Sequence, residues 1–326
     1  LRLCKFAPGK FVRGRSSNLL SQLAHKIQIP HAICGRHMKA SLSERLRSLP
    51  FYILPHHAIS WCIFKLARIR WKPFKNLAIR IYTQLHTVNL EEAEITDKYG
   101  YESLNAFFTR ALKAEARPLD SENSNWVCPV DGTVSQAGAI ENGRIFQAKG
   151  HDYSLLELLG GDATQAEPFN NGKFATLYLS PRDYHRIHMP ADAELKQMIY
   201  IPGRLFSVAA YTVNAIPQLF ARNERVVCRF ETEHGPMVMV LVGAINVSAT
   251  ETTWHGLVTG MSGKINSFDY AAGEVVLKRG DEMGRFNLGS TVILITTENF
   301  ELDQSVDAGT VVRMGRSIGR TTETHV

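Results

Sequence analysis

The feature that most limits the folds open to this chain is a change of texture near Pro118. After Trp126, short β-type runs punctuated by Gly, Pro and Asn replace long helical patterns. The clearest runs are Ala175 to Leu179, Leu195 to Ile201, Arg225 to Glu231, Met237 to Ser248, Glu274 to Lys278, Val292 to Thr296 and Thr310 to Met314. Their spacing predicts a mainly antiparallel body. Before Pro118 the periodicity predicts helices over 41–50, over 56–86 with a break near Pro73, over 90–98 and over 103–113. In the last of these, Leu104, Phe107, Phe108 and Leu112 share one face. The expected class is therefore α+β, with an N-terminal helical, membrane-associating part followed by a mainly antiparallel β body. The expected divisions are 1–37 as a leader or upstream segment outside the fold, 38–118 as the helical region and 119–326 as the β-rich domain.

Charge separates the same two parts. Residues 1–80 carry 16 Lys and Arg against one acid, Glu44, a balance of +15; the remainder carries 21 against 30, a balance of −9. A basic, apolar-rich segment ahead of an acidic body needs an anionic surface as partner. From Phe51 to Leu85 the bases are interleaved with Trp61, Trp71 and aliphatic residues, and Phe74, Leu77, Ile81 and Leu85 recur at spacings of three and four. Two readings of this stripe stand: a helix lying in a membrane interface, or one docking on its own domain. The residue mix favours membrane over nucleic acid. No run of about 18 apolar residues occurs, so the expected membrane contact is peripheral. Residues 1–37 are basic, free of acids and weakly periodic, as in a mitochondrial presequence. The other reading, with Met38 as the start, is preferred because a capped helix begins only after Ser41-Leu42-Ser43-Glu44. Five scattered cysteines without a C-x-x-C pair point to a reducing compartment.

Three stretches carry candidate chemistry. Gly289-Ser290, the only Gly-Ser dipeptide in the chain, leads into the apolar run Val292 to Ile295. A glycine there lets a carbonyl be strained beside a serine hydroxyl. Pro129-Val-Asp-Gly-Thr133 puts Asp131 in a turn, where an acid also commonly serves only as a cap. Leu179-Ser-Pro-Arg-Asp-Tyr-His-Arg-Ile-His-Met-Pro190 packs His185, His188 and Asp183 between prolines. Asp183, His185 and His188 could be metal ligands, but no complementary His/Cys cluster accompanies them, and the expectation is no metal. An Asp, a His and a Ser are better used to activate a nucleophile.

Together with Ala148-Lys-Gly-His-Asp-Tyr-Ser-Leu155, Tyr200-Ile-Pro-Gly203, Leu219-Phe-Ala-Arg-Asn-Glu-Arg225, Val242-Gly-Ala244 and Met283-Gly-Arg-Phe-Asn-Leu-Gly-Ser-Thr291, these motifs resemble the phosphatidylserine decarboxylase proenzymes of bacteria and mitochondria. The likeness runs from about residue 46 to the C-terminus. The family motif often has Ala where Val130 stands, which leaves the chemistry untouched. The resemblance implies that His188, backed by Asp131, deprotonates Ser290, and that Ser290 attacks the Gly289 carbonyl. β-Elimination would then split the chain into a β subunit ending at Gly289 and a 37-residue α subunit beginning at residue 290. Ser290 would become a covalent pyruvoyl group (pyruvate as cofactor) that forms a Schiff base with phosphatidylserine, giving phosphatidylethanolamine and carbon dioxide. His185 is the implied proton donor. Phosphatidylserine in an anionic membrane is the implied partner, with a homodimer of the processed chains and no nucleic acid. The implied location is the cytoplasmic face of the bacterial inner membrane, or the mitochondrial inner membrane if 1–37 is a presequence. A metal-dependent hydrolase, a non-enzymatic membrane module and a pyruvoyl decarboxylase of a free amino acid are the rival classes.

Overall fold

A computed structural model of the chain describes residues 40–122, 125–148, 150–245, 249–258, 263–287 and 289–322. The reading of 1–37 as a leader lies outside these residues. Met38–Val326 forms one compact unit. It opens with α1 (Leu42–Ser48), started by a capping box in which Ser41 Oγ accepts from Glu44 N at 3.2 Å and the Glu44 carboxylate accepts from Ser41 N at 2.8 Å. The expected 56–86 helix is two helices, α2 (His56–Ala67) and α3 (Lys72–Leu85), with Pro73 in the first turn of the second. A proline is tolerated there because its missing N–H has no helical partner at that position.

The apolar stripe of α3 faces outward. Leu77, Ile81 and Leu85 are 55%, 48% and 72% exposed, while the opposite face buries Lys75 and Ile79. Ile79 packs with Tyr101 and Phe107, so α3 does dock on the domain, but not through the stripe. Two predicted helices differ. The 103–113 helix is only α4 (Leu104–Phe108), and 90–98 is a series of turns. Each segment takes the other's backbone bonds: Ala93 bridges Leu112, Glu94 N donates to Ala111 O and Lys113 N donates to Glu92 O. Tertiary pairing there overrides helical propensity.

Among the described residues the main sheet has nine strands. Its path uses β1 (Gly132–Ala139), β2 (Lys173–Leu179), β4 (Ala193–Ile201), β5 (Arg225–Thr232), β6 (Gly235–Val242), β8 (Asn266–Asp269), β10 (Ser290–Thr296) and β11 (Val311–Val312) in the order β8-β4-β5-β6-β10-β2-β1-β11; Val276–Leu277 adds to β4. Every pairing in it is antiparallel. A second sheet contains β3 (Arg186–His188), β7 (Thr250–Thr252) and β9 (Glu282–Phe286). The α+β expectation therefore holds, with the helices at the N-terminal part.

β10 is central and buried along its whole length. Burial of Val292, Ile293, Leu294 and Ile295 alone contributes about 6–12 kcal/mol before entropy is counted. The 237–248 strand stops at Val242, because Gly243 leaves the ladder to donate to Glu224 O, while Asn223 Nδ2 holds Gly243 O at 2.9 Å. The 310–314 run shortens to β11, because the Met314 amide is drawn to Asp131 Oδ1 at 2.9 Å.

Candidate active site

The backbone at Ser290 and Asp131 lies at one end of the main sheet because three antiparallel elements turn there. β2 ends at Leu179, β10 starts at Ser290 opposite it, and β1 starts at Gly132 beside Tyr178. Asp131 immediately precedes β1. His188 is brought to the same turn by its amide, which donates to Pro129 O at 2.9 Å. The residue after Asp131 must be glycine, since a Cβ on Gly132 would lie 2.3 Å from Tyr178 O. Gly289 enters β10 at φ +30°, in the region that glycine adopts without a side-chain penalty.

Ser290 is fully buried, and among the described residues its Oγ has no hydrogen-bond partner. A buried hydroxyl without a partner forfeits about 1–3 kcal/mol. Gly289 lines a cavity of about 220 Å³ with Tyr82, Phe108, Tyr178, Leu179 and Pro181. Its walls carry little charge and reach the helical region through Tyr82 and His86. Tyr82 Oη donates to Pro181 O at 2.5 Å, fixing the loop that leaves β2, and burial pushes its phenol well above the usual range.

The histidines have different settings. His188 Nδ1 donates to Gly280 O at 2.7 Å, which leaves Nε2 to accept from Tyr184 Oη at 2.9 Å. Burial lowers its pKa, and the Gly280 bond, Glu282 and Asp131 oppose that only in part. The ring is therefore neutral near pH 7, as a base must be. His185 Nδ1 donates to Asp183 O at 2.9 Å, and its Nε2 has no partner among the described residues. Its ring is fully buried against Phe108, at 4.0 Å between centroids, and Phe108 but not His185 lines the cavity at Gly289. Burial lowers the His185 pKa to about 3, outweighing the Asp183 bond.

Asp131 sits in a second cavity, of about 180 Å³, lined also by Tyr184, Asp183 and Arg182. Its carboxylate is held by Arg117, whose Nε donates to Oδ1 at 2.9 Å, in an ion pair with both side chains about a tenth exposed. Arg117 also pairs with Glu92 at 2.8 Å. Burial alone would lower the Arg117 pKa, but these bonds outweigh it and hold it above the ordinary value. The Nδ1 partner of His188 is thus the Gly280 carbonyl, while Asp131 acts on that ring through its charge. Tyr184, Arg117 and Gly280 are the contacts that the sequence reading did not assign. Tyr184 lay inside the quoted motif; nothing local marks Arg117 or Gly280. For the rival metal reading, Asp183 accepts from Ser180 N at 2.7 Å and the two rings point to separate carbonyls. Among the described residues no group of three His, Cys, Asp or Glu could hold a metal ion.

Comparison with known proteins defines the class first. The family model described as phosphatidylserine decarboxylase matches residues 104–320, and a model described as PSD matches 46–85. Relatives named phosphatidylserine decarboxylase proenzyme are 51% identical over 282 residues in Ectopseudomonas mendocina, covering 85% of this chain and 99% of the relative. The corresponding figures are 51% over 285 residues in Hahella chejuensis, 87% and 96%, and 50% over 281 in Pseudomonas entomophila, 85% and 98%. This is an enzyme, a decarboxylase. The chain belongs to the phosphatidylserine decarboxylase family.

Proposed function

We propose that the chain decarboxylates phosphatidylserine to phosphatidylethanolamine after cutting itself between Gly289 and Ser290. The observation that carries the reading is a buried, unpartnered Ser290 hydroxyl directly after a left-handed glycine that lines a cavity. In processing, neutral His188 takes the Ser290 proton once its Nε2 exchanges Tyr184 for the serine. The Ser290 oxygen then attacks the Gly289 carbonyl, the peptide nitrogen leaves, and an ester joins the two parts. Loss of the Ser290 α-proton breaks the bond between Cβ and the ester oxygen and releases Gly289 as a carboxylate; the dehydroalanine left at residue 290 tautomerises to an imine, which water hydrolyses to the pyruvoyl carbonyl and ammonia. Asp131, anchored by Arg117, keeps negative charge near the imidazolium that forms.

The residue-290 site fits a pyruvoyl group, since it is desolvated, free of a competing hydrogen bond and open to the cavity through Gly289. When present, such a carbonyl condenses with an amine and accepts the electron pair released as carbon dioxide departs. By family likeness His185 guides the proton that returns to the α-carbon, which requires Phe108, packed on its ring, to move so that the His185 Nε2, unpartnered among the described residues, is reached.

Exposed Leu77, Ile81, Leu85, Trp61 and Trp71 support a peripheral seat on an anionic bilayer. Among the described residues no helix is long and apolar enough to cross a membrane. By family likeness the working form is a homodimer of processed β and α chains on the cytoplasmic face of a bacterial inner membrane. The test is carbon dioxide release from phosphatidylserine vesicles by the wild type, Ser290→Ala and His185→Ala. Only the wild type should turn over at full rate; turnover by Ser290→Ala, or of free serine without vesicles, would overturn the reading.

A further inference from the structure

A cavity of about 500 Å³ lies apart from the one at Gly289 and shares no lining residue with it. Five arginines line it. Three are already committed: Arg70 pairs with Glu102 at 3.0 Å, Arg186 with Glu282 at 2.8 Å and Arg285 with Glu282 at 3.2 Å. The other two, Arg68 and Arg110, are not fully used. Arg110 is 4% exposed, and among the described residues its Nε and Nη1 have no acceptor; the same is true of Arg68 Nη1. Buried guanidinium N–H groups without acceptors are costly, and two residues that carry them and line one cavity can supply donors to a tetrahedral oxyanion once their side chains turn toward it.

We propose that this cavity binds a phosphoryl group, as a site separate from the one at Ser290. Its rim points to where the anion comes from. Arg68 and Arg70 lie in the turn between α2 and α3, flanked by Trp61 and Trp71, which are 61% and 68% exposed. Where those indoles enter a bilayer interface, the two arginines sit at headgroup level. Phe64 supports Arg68 from below, with its ring centroid 3.5 Å from the guanidinium carbon. On the inner side, Arg110 Nη2 donates to Arg182 O at 3.1 Å and Asp183 O at 3.3 Å. An anion at Nε and Nη1 thus rests on the same guanidinium that holds the loop leading to His185 and His188. The proposal does not depend on decarboxylation, because it concerns binding alone.

The full chain is assayed by flotation with phosphatidylcholine vesicles with and without phosphatidylglycerol, and by melting in sodium phosphate against sodium chloride at equal ionic strength. Lys72→Gln, which removes an exposed charge outside the cavity, is the control for Arg68→Gln. Loss of general attraction alone lowers binding to phosphatidylglycerol vesicles about 5-fold in either variant. Loss of charged hydrogen bonds makes the Arg68→Gln deficit about 10-fold or more. A phosphate-specific rise in melting temperature that Arg68→Gln abolishes supports the site with free phosphate sufficient. The excess vesicle deficit without that rise supports a lipid headgroup as the required source. Equal deficits in the two variants, with no phosphate effect on the wild type, overturn the proposal and leave the cavity to water. Arg68 is only partly buried, so its variant keeps the test independent of any folding failure in Arg110→Gln.

Discussion

Acid should destabilise this fold through one ring in particular. His185 has no exposed surface, and burial depresses its pKa from 6.5 to about 3. Below pH 6.5 the unfolded chain therefore binds a proton that the folded chain refuses. The stability this ring contributes is complete above pH 6.5 and is lost as the pH falls, at about 1.4 kcal/mol per unit down to about pH 3. Between about pH 7.5 and about pH 5 the loss is about 2 kcal/mol. The assay compares melting at these two pH values in a Ser290→Ala background, with and without His185→Gln, so that every molecule is one covalent chain. His188 and His56, whose pKa values are also lowered, are present in both chains and cancel. The chain with His185 should lose about 4–8 °C more on acidification than the variant. Equal losses would mean that His185 accepts a proton inside the fold, and the argument from burial would fail.

Three other perturbations separate the remaining parts of the site. Tyr184→Phe removes the donor on His188 Nε2 without emptying space and should change the cleavage rate by at most about 10-fold, whereas His188→Ala should slow or stop cleavage, both followed by gel. Arg117→Gln breaks a buried pair and leaves Asp131 with little beyond the Met314 amide; a loss of about 3–5 kcal/mol in denaturant titration is expected, and a loss below about 1 kcal/mol would show the pair to be surface-like. Leu77→Glu with Leu85→Glu should abolish vesicle flotation while leaving the melting temperature of the detergent-solubilised chain unchanged, because both side chains are exposed.

The fold was readable where a segment's own pattern agreed with its tertiary use. The run Val292 to Ile295 is apolar on both faces because this strand is buried on both faces of the sheet. Ser41 and Glu44 mark a helix start through contacts three residues apart, which any sequence displays. The reading failed where distant partners decide. Residues 90–98 and 109–113 are helical in pattern but form turns and irregular backbone joined by one bridge, because each satisfies part of the other's backbone. β1, with four of its eight residues small Gly or Ala, carries no β-branched alternation to mark it as a strand, although it bears the Asp131 turn.

Site residues were legible as a set of types and not as a set of bonds. Ser290 starts β10 opposite Leu179, Asp131 precedes β1 beside Tyr178, and the His188 amide is bound at Pro129, but the side chains of Asp131, His185 and His188 are held by other groups. The carbonyl that orients His188 belongs to Gly280, 92 residues away, and the cation on Asp131 comes from a turn 14 residues earlier. Neither pairing has a local signature, because a backbone carbonyl is present at every position and an arginine before a proline is ordinary loop sequence.

The central claim is that Ser290 breaks the chain at its own amide. Denaturing mass spectrometry of the purified chain, with and without borohydride, tests it most directly. The account predicts two fragments meeting between Gly289 and Ser290, the smaller of 37 residues with a blocked N-terminus whose mass changes on reduction. A single unmodified chain that borohydride leaves unchanged, in a preparation that releases carbon dioxide from phosphatidylserine, would contradict it.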